Sequence, residues 1–558
     1  MLARMARFRQ RMRESMRALG AVYRNRGLRR LQLAWASAII GGWAYIVSLA
    51  VFAYHQDGAY AVGALAVARW VTSGIAAPIA GVVGDRYPRV RVLIGSCVAR
   101  SAILALAGVV MLMGLSAFIV YVLAVLAAIA GTVFSPSEAA LVPTLARSPE
   151  ELTAANVSAS TIDSVGTFVG PALGGFLLAA TSVETVFFVS AGLVALAAVV
   201  VSGVPEAPRE PRAEGEEEAG VASHGLAGFR ALLGDRRLRL ICGLLVAYMV
   251  LDGALDVLIV VLALQTLKLG DSGVGFLNST AGIGGLLGVV VAAGLVGRRG
   301  LAAPIGLAMA FWGLPILLIG LWPTKASALA LLGAVGAATT IVGVAGDTLM
   351  QRAVPEEVLA RVFGVLDSLM LVAVAIGAAL APFLVDVVGT KGTLVGIGTV
   401  LPLLALASWR RLREIDAAAE VPRRQLDLLL GHPIFAPLPP PKLEELASVI
   451  VARQVAAGAR ILTEGEAGDE FFLVAAGRIS VTVGGAAAGE LGPGEGFGEI
   501  ALLKDVPRTA TVEAAEDTTL YVLDRAQFLG ALSGHAESAA AAEAVAGRRL
   551  AAYRPATV

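Results

Sequence analysis

The stretch GFGEIALLKDVPRTATV, Gly496 to Val512, combines residue types and spacings that suit a phosphate ester. Gly496 and Gly498 have no side chains, so the backbone there can come close to a ligand. A helix opening at the IALL segment leaves its first N–H groups unpaired and pointing one way, which makes an anion site. Arg508, nine residues after Glu499, can return across that site as a two-pronged phosphate clamp. A buried glutamate facing a sugar hydroxyl gives ribose recognition, as an acid does in dinucleotide sites. The fitting ligand carries one phosphate close to a ribose hydroxyl.

A second group of chemistry-bearing residues lies in apolar sequence. Asp252 and Asp256 occur in MVLDGALDVLIV, four apart, so they share one helix face. Two close carboxylates favour a proton on one of them, which suits a proton- or cation-binding site. Asp163 lies mid-segment, and Arg69 and Arg100 lie in neighbouring apolar segments and could pair with it. Ionisable groups inside lipid are costly and are usually retained for a task. Buried structural ion pairs are the alternative for the two arginines and for the Asp252/Asp256 pair. Asp347 and Asp367 fall nearer segment ends, where gate or loop contacts are expected.

The elements that position these residues are of two kinds. The chain of 558 residues is 57% hydrophobic and only 16% charged, where soluble domains carry about a quarter charged residues. Apolar residues come in long runs, and about 20 of them span a bilayer as a helix. Twelve spans are expected, near 31–54, 59–83, 91–114, 116–137, 154–180, 183–204, 238–266, 272–297, 301–322, 326–347, 363–388 and 392–409. The domain plan is a basic N-terminal segment (1–30), a six-helix half (31–204), a linker (205–237), a second six-helix half (238–411), a connector helix (412–425) and a C-terminal domain (426–558). Residues 1–30 hold ten arginines and one acid, with no cleavable signal peptide. The Pro- and Glu-rich linker has little apolar surface to bury. The halves resemble each other: GPALGGFLL at Gly170 and GAALAPFLV at Gly377 are 207 residues apart. Arginine-rich loops alternate with nearly arginine-free ones, which puts both termini and the C-terminal domain in the cytoplasm. Beyond residue 426 the pattern becomes strand-like, with turns at Gly468-Asp469 and Gly477.

These patterns resemble known families. GVVGDRYPRVR, with Gly81, Asp85, Arg86 and Arg89, is similar to the cytoplasmic signature loop of the major facilitator superfamily, with Pro88 replacing a usual glycine. GTFVGPALGG, with Gly166, Gly170, Pro171, Gly174 and Gly175, looks like the motif of that superfamily's exporters, associated there with proton antiport; plain small-residue packing is the alternative. SPSEAALVPTL and SPEELTAAN further resemble its macrolide and siderophore exporter branch. The C-terminal segment resembles the cyclic-nucleotide-binding domain, a small β-roll with flanking helices. Its cassette stands here as Phe497-Gly498-Glu499-Ile500-Ala501-Leu502 and Pro507-Arg508-Thr509-Ala510-Thr511-Val512. The resemblance implies that Glu499 holds the ribose hydroxyl and Arg508 the cyclic phosphate, with the Ile500 and Ala501 amides on its oxygens. Thr509 leaves the choice of base open. AAAAEAVAGRRLAAYRP looks like a lid helix, with Leu550 and Tyr553 as base contacts.

The expected fold is therefore an α-helical polytopic membrane protein of two six-helix repeats, followed by a β-roll domain. The expected function is proton-coupled export of a small amphipathic molecule across the plasma (inner) membrane, regulated by cAMP, with cGMP open. A lipid or lysolipid flippase and a non-transporting nucleotide receptor are the alternatives. A channel would need a filter motif or an arginine-studded span, and neither is present. Four scattered histidines give no metal spacing, two cysteines give no disulfide framework, and no catalytic motif occurs, so neither an enzyme nor a nucleic-acid binder is expected.

Overall fold

The computed structural model describes residues 22–205, 229–230, 232–293, 300–354, 356–418, 423–533 and 535–552. Most of the basic N-terminal segment, most of the Pro/Glu-rich linker, the segment 294–299 and Tyr553 lie outside the described residues. The chain divides into two compact units, one ending at Asp416 and one beginning at Ala417.

Among the described residues of the first unit, ten helices are long and apolar enough to cross a membrane. Two of them, Arg26–Arg86 and Glu356–Ala418, are 61 and 63 residues long, whereas a span takes about 20. Each is two spans joined at an interior break. The first breaks at Asp57 and Gly58, where Gly58 has φ +65°. The second breaks at Gly389, with φ +73°. This gives twelve spans in two sets of six. Span four runs further than its expected end at 137, through a short break after Gly131 and on to Leu145. The last span continues as one helix to Ala418, so the expected connector begins as its extension. Local chemistry marks several starts. Asn25 caps the first span by accepting from Gly27, Ser148 caps Pro149–Ala180, and Thr324 with Ser327 forms a capping box.

The internal repeat is visible in the packing. A Cβ at Gly170 would sit 2.4 Å from Cβ of Trp43 in span one. At Gly377, one would sit 1.8 Å from the Val250 carbonyl in span seven. Trp43 and Val250 are themselves 207 residues apart, the same offset as the two glycines. Each half thus presses its fifth span onto its first by the same small residue at the same register.

The second unit is an antiparallel roll of two four-stranded sheets. One has the order β1 (Val451–Val455), β8 (Thr518–Asp524), β3 (Glu470–Ala476), β6 (Gly496–Phe497). The other runs β2 (Arg460–Leu462), β7 (Thr511–Ala514), β4 (Ile479–Val483), β5 (Ala486–Leu491). Strand β3 is apolar on both faces because it serves two cores. Phe472 and Val474 point between the sheets, while Phe471 and Leu473 pack under helices Arg423–Gly431, Pro440–Val449 and Arg525–Leu532. Phe471 stacks on Phe528 at 4.7 Å.

His432 belongs to that helix-side core, against Phe435 and Phe471. Burial, with the nearby Arg549 charge, lowers its pKa from 6.5 to about 4. The folded state therefore binds its proton more weakly than the unfolded state does. The stability that neutral His432 contributes is present above pH 6.5 and drains away as pH falls toward 4. The full effect is about 3 kcal/mol. Denaturant titrations of wild type and His432→Phe should show the wild type losing more stability over that window; parallel curves would contradict this.

Candidate functional site: an anion pocket in the β-roll and charges within the bundle

The pocket is built where β6 hands over to the helix Glu499–Lys504. Phe497 pairs with Phe472 across the sheet and stacks on it at 4.9 Å. Gly498 then turns the chain with φ +94°, which a side-chain-bearing residue rarely adopts. The close approach also demands glycine, since a Cβ there would lie 2.8 Å from Nη1 of Arg508. Arg508 is pinned at its backbone from both sides: its N–H donates to Glu466 at 2.8 Å and its carbonyl accepts from Gly465 at 2.9 Å. Arg508 as a whole is 6% exposed, and its guanidinium donates to the carbonyls of Gly498 (3.1 Å) and Glu470 (2.9 Å). Burial lowers the pKa of Arg508, with Asp469 and Glu470 opposing.

Phe497, Gly498, Glu499, Ile500, Ala501, Arg508, Thr509 and Ala510 all line one half-open cavity. Its lining brings both charges and the first turn of the short helix together with the apolar side chains of Leu462, Val481, Leu491 and Val512. Glu499 is 1% exposed and accepts a 2.8 Å charged hydrogen bond from Nη1 of Arg549. Arg549, on the helix Ala536–Ala552, completes the cavity wall. The sequence reading named its neighbour Leu550, which is 37% exposed. Helical spacing alone did not distinguish which of the two faces inward.

In the bundle, Asp252 and Asp256 lie one turn apart in span seven, a turn beyond Tyr248. Asp256 is within electrostatic reach of Arg69. Asp163 accepts a 2.7 Å hydrogen bond from Nε1 of Trp35, so its partner is an indole and neither Arg69 nor Arg100. Glu138, which the sequence reading did not single out, is buried near Asp163 and accepts from Gln32 at 3.4 Å. The backbones of Gly81, Asp85 and Arg86 form the last turns of Arg26–Arg86, and Arg89 donates to the Ala140 carbonyl at 2.8 Å. The side chain of Asp85 lies outside the described residues. Gly166, Gly170 and Gly174 fit against Ile39, Trp43 and Ala44 of span one. Gly175 and the Pro171 carbonyl meet Gly275 of span eight, across the two halves.

A twelve-span bundle of two parallel six-span repeats is a secondary-transporter architecture, and here it is joined to a β-roll carrying an acid–arginine pocket. The chain belongs to the major facilitator superfamily, whose family model matches residues 33–369 and 244–480. It is a multi-pass membrane protein. The cyclic nucleotide-binding domain model matches residues 452–535. A solved POT family transporter in complex with a thioalcohol-conjugated peptide shares the fold, at TM-score 0.57 and 15% identity over 70% of this chain and 96% of that one. Over the C-terminal domain the chain is 40% identical to a cyclic nucleotide-gated potassium channel of Mesorhizobium japonicum, covering 23% of this chain and 34% of the channel. It is 41% identical to a cAMP-dependent protein kinase regulatory subunit of Yarrowia lipolytica, covering 13% and 19%. A cGMP-dependent protein kinase of Caenorhabditis briggsae is 40% identical, covering 15% and 11%. The chain thus spans about a third or less of the length of these curated relatives.

Proposed function

We propose that the chain is a proton-coupled exporter of a small amphipathic molecule, regulated by cyclic nucleotide at its cytoplasmic C-terminal domain, with cAMP as the ligand. The carrying observation is that Glu499 and Arg508 line one pocket in a chain that also holds a twelve-span transporter bundle. The charge bias of the loops supports a cytoplasmic domain, where cyclic nucleotides are made. Asp252 and Asp256, which share one face of span seven, are the proposed coupling acids. A nucleotide shifts a transporter only through its differential affinity for two states. Couplings of this kind run to about 1–3 kcal/mol, a change of several-fold rather than an absolute switch.

Reconstituted vesicles loaded with fluorescent amphiphiles test this. An imposed pH gradient should drive flux, and cAMP should change its rate several-fold at concentrations where cGMP does less. Flux indifferent to nucleotide removes regulation; flux indifferent to the gradient removes proton coupling.

A lipid flippase is the second reading, favoured by one feature. A groove of about 570 Å³ between spans two and four is walled by Ala61, Ala64, Leu65, Val122 and Val125, and Asp57 also lines it. Such a surface suits an acyl chain. Labelled-lipid movement in the same vesicles separates the two readings.

A further inference from the structure

Arg69 in span two and Arg100 in span three carry positive charge into the bundle. Arg89 donates to Ala140, and Asp163 is satisfied by Trp35. Neither Arg69 nor Arg100 donates a hydrogen bond to any acceptor among the described residues, and the Nε atom of each is fully buried without a partner. They are close enough for the charge of one to act on the other. Both face Tyr45 of span one: the Arg69 guanidinium carbon is 5.9 Å from its ring centroid, and both charges act on its hydroxyl.

Space is kept for the second guanidinium. A Cβ at Gly42 would sit 3.0 Å from Nη2 of Arg100, and one at Gly131 would sit 3.5 Å from its Cζ. Asp256 is the carboxylate whose charge reaches Arg69, and it makes no hydrogen bond with it.

Two guanidiniums drawn together in the interior of a membrane bundle repel each other and leave many donors unmade. Arginine cannot relieve this by losing its proton. Unpaired charge at this depth is retained for a pathway or a ligand. What satisfies two planar forks at once is a group with several acceptor oxygens and a negative charge. We propose that Arg69 and Arg100 form a binding site for the oxyanion group of a ligand, a carboxylate or a phosphate. Calling that ligand the cargo rests on the transporter reading; the binding itself does not.

The test therefore measures binding without flux. Full-length protein carrying Arg508→Ala, which removes the other anion clamp, is followed by thermal unfolding in neutral detergent. Inorganic phosphate, decanoate and lysophosphatidate are titrated in turn. At least one should raise the melting temperature, since a ligand that binds only the folded state stabilises it. The rise should vanish when Arg69→Gln and Arg100→Gln are added. A response to phosphate or decanoate marks a soluble ligand; a response to lysophosphatidate alone marks a lipid headgroup.

The unliganded melting temperature gives a second readout. Removing two guanidiniums that make no hydrogen bond among the described residues should leave it close to the parent value. Three outcomes overturn the proposal: no probe shifts the parent protein, the shift survives in the double glutamine variant, or that variant melts well below its parent without ligand. The last would make the arginines structural. Loss of flux in vesicles alongside retained oxyanion binding would instead count against the transporter reading alone.

Discussion

Arg508→Ala should weaken cAMP binding by at least about tenfold, because the substitution removes a charged, two-pronged contact worth about 1.5–3 kcal/mol. The cost extends past the ligand. In the unliganded domain the same guanidinium holds the carbonyls of Gly498 and Glu470, bridging the start of the pocket helix to strand β3. Its loss leaves those two acceptors unsatisfied and loosens the turn that presents the Ile500 and Ala501 amides. Arg508→Lys separates the two effects. It keeps the charge but cannot reach two carbonyls in one plane, so its affinity should fall between wild type and alanine. Calorimetry on the full-length protein reads all three. Equal affinity in wild type and Arg508→Ala would remove the pocket assignment, provided both proteins unfold at similar temperatures.

Asp252→Asn combined with Asp256→Asn should abolish pH-driven flux while leaving a folded protein. The carboxylates are one helical turn apart, about 6 Å. At that distance two unit charges repel by about 3 kcal/mol in a medium of effective dielectric near 20. A proton on one member relieves the repulsion, and the nearby Arg69 supplies positive charge to the other. Asparagine keeps the shape and removes the titration. Gradient-driven uptake that persists in the double variant would move the coupling role elsewhere, first to Asp163 and its neighbour Glu138. Each single variant reports which acid is essential.

Much of this organisation was legible because its signals are local. The pocket cassette lies within about seventeen consecutive residues, and the glycine turn, the helix start and the returning arginine are fixed by spacing. Its eight residues all reach one cavity. The spans were legible as apolar runs, and even the two breaks that divide double-length helices fall between the expected spans. The repeat was legible as GPALGG against GAALAP, and the packing of Gly170 and Gly377 gives that similarity a physical cause.

What escaped the reading was long-range. Arg549 pairs with Glu499 across 50 residues, and nothing in GRRLAAY marks which side chain turns inward. Trp35 and Asp163 are 128 residues apart, so the partner of an acid expected to meet an arginine is an indole from a distant apolar run. Glu138 sits in a loop-like SPSEAAL run that folds as the end of span four. Side-chain pairing between helices depends on rotation and tilt, which hydropathy does not encode.

The Arg549–Glu499 pair has a consequence for dose. If the nucleotide ribose needs Glu499, it must compete with a cation already held by the same chain. A ligand that binds only the fraction of molecules with Glu499 released shows an apparent affinity reduced by that fraction. A charged hydrogen bond of about 1.5–3 kcal/mol would leave only a few per cent or less of molecules released at any moment. The pocket would then stay silent at resting nucleotide levels and respond to a surge. The strength of one internal contact, more than the fit of the pocket to its ligand, would set the concentration at which the domain reports.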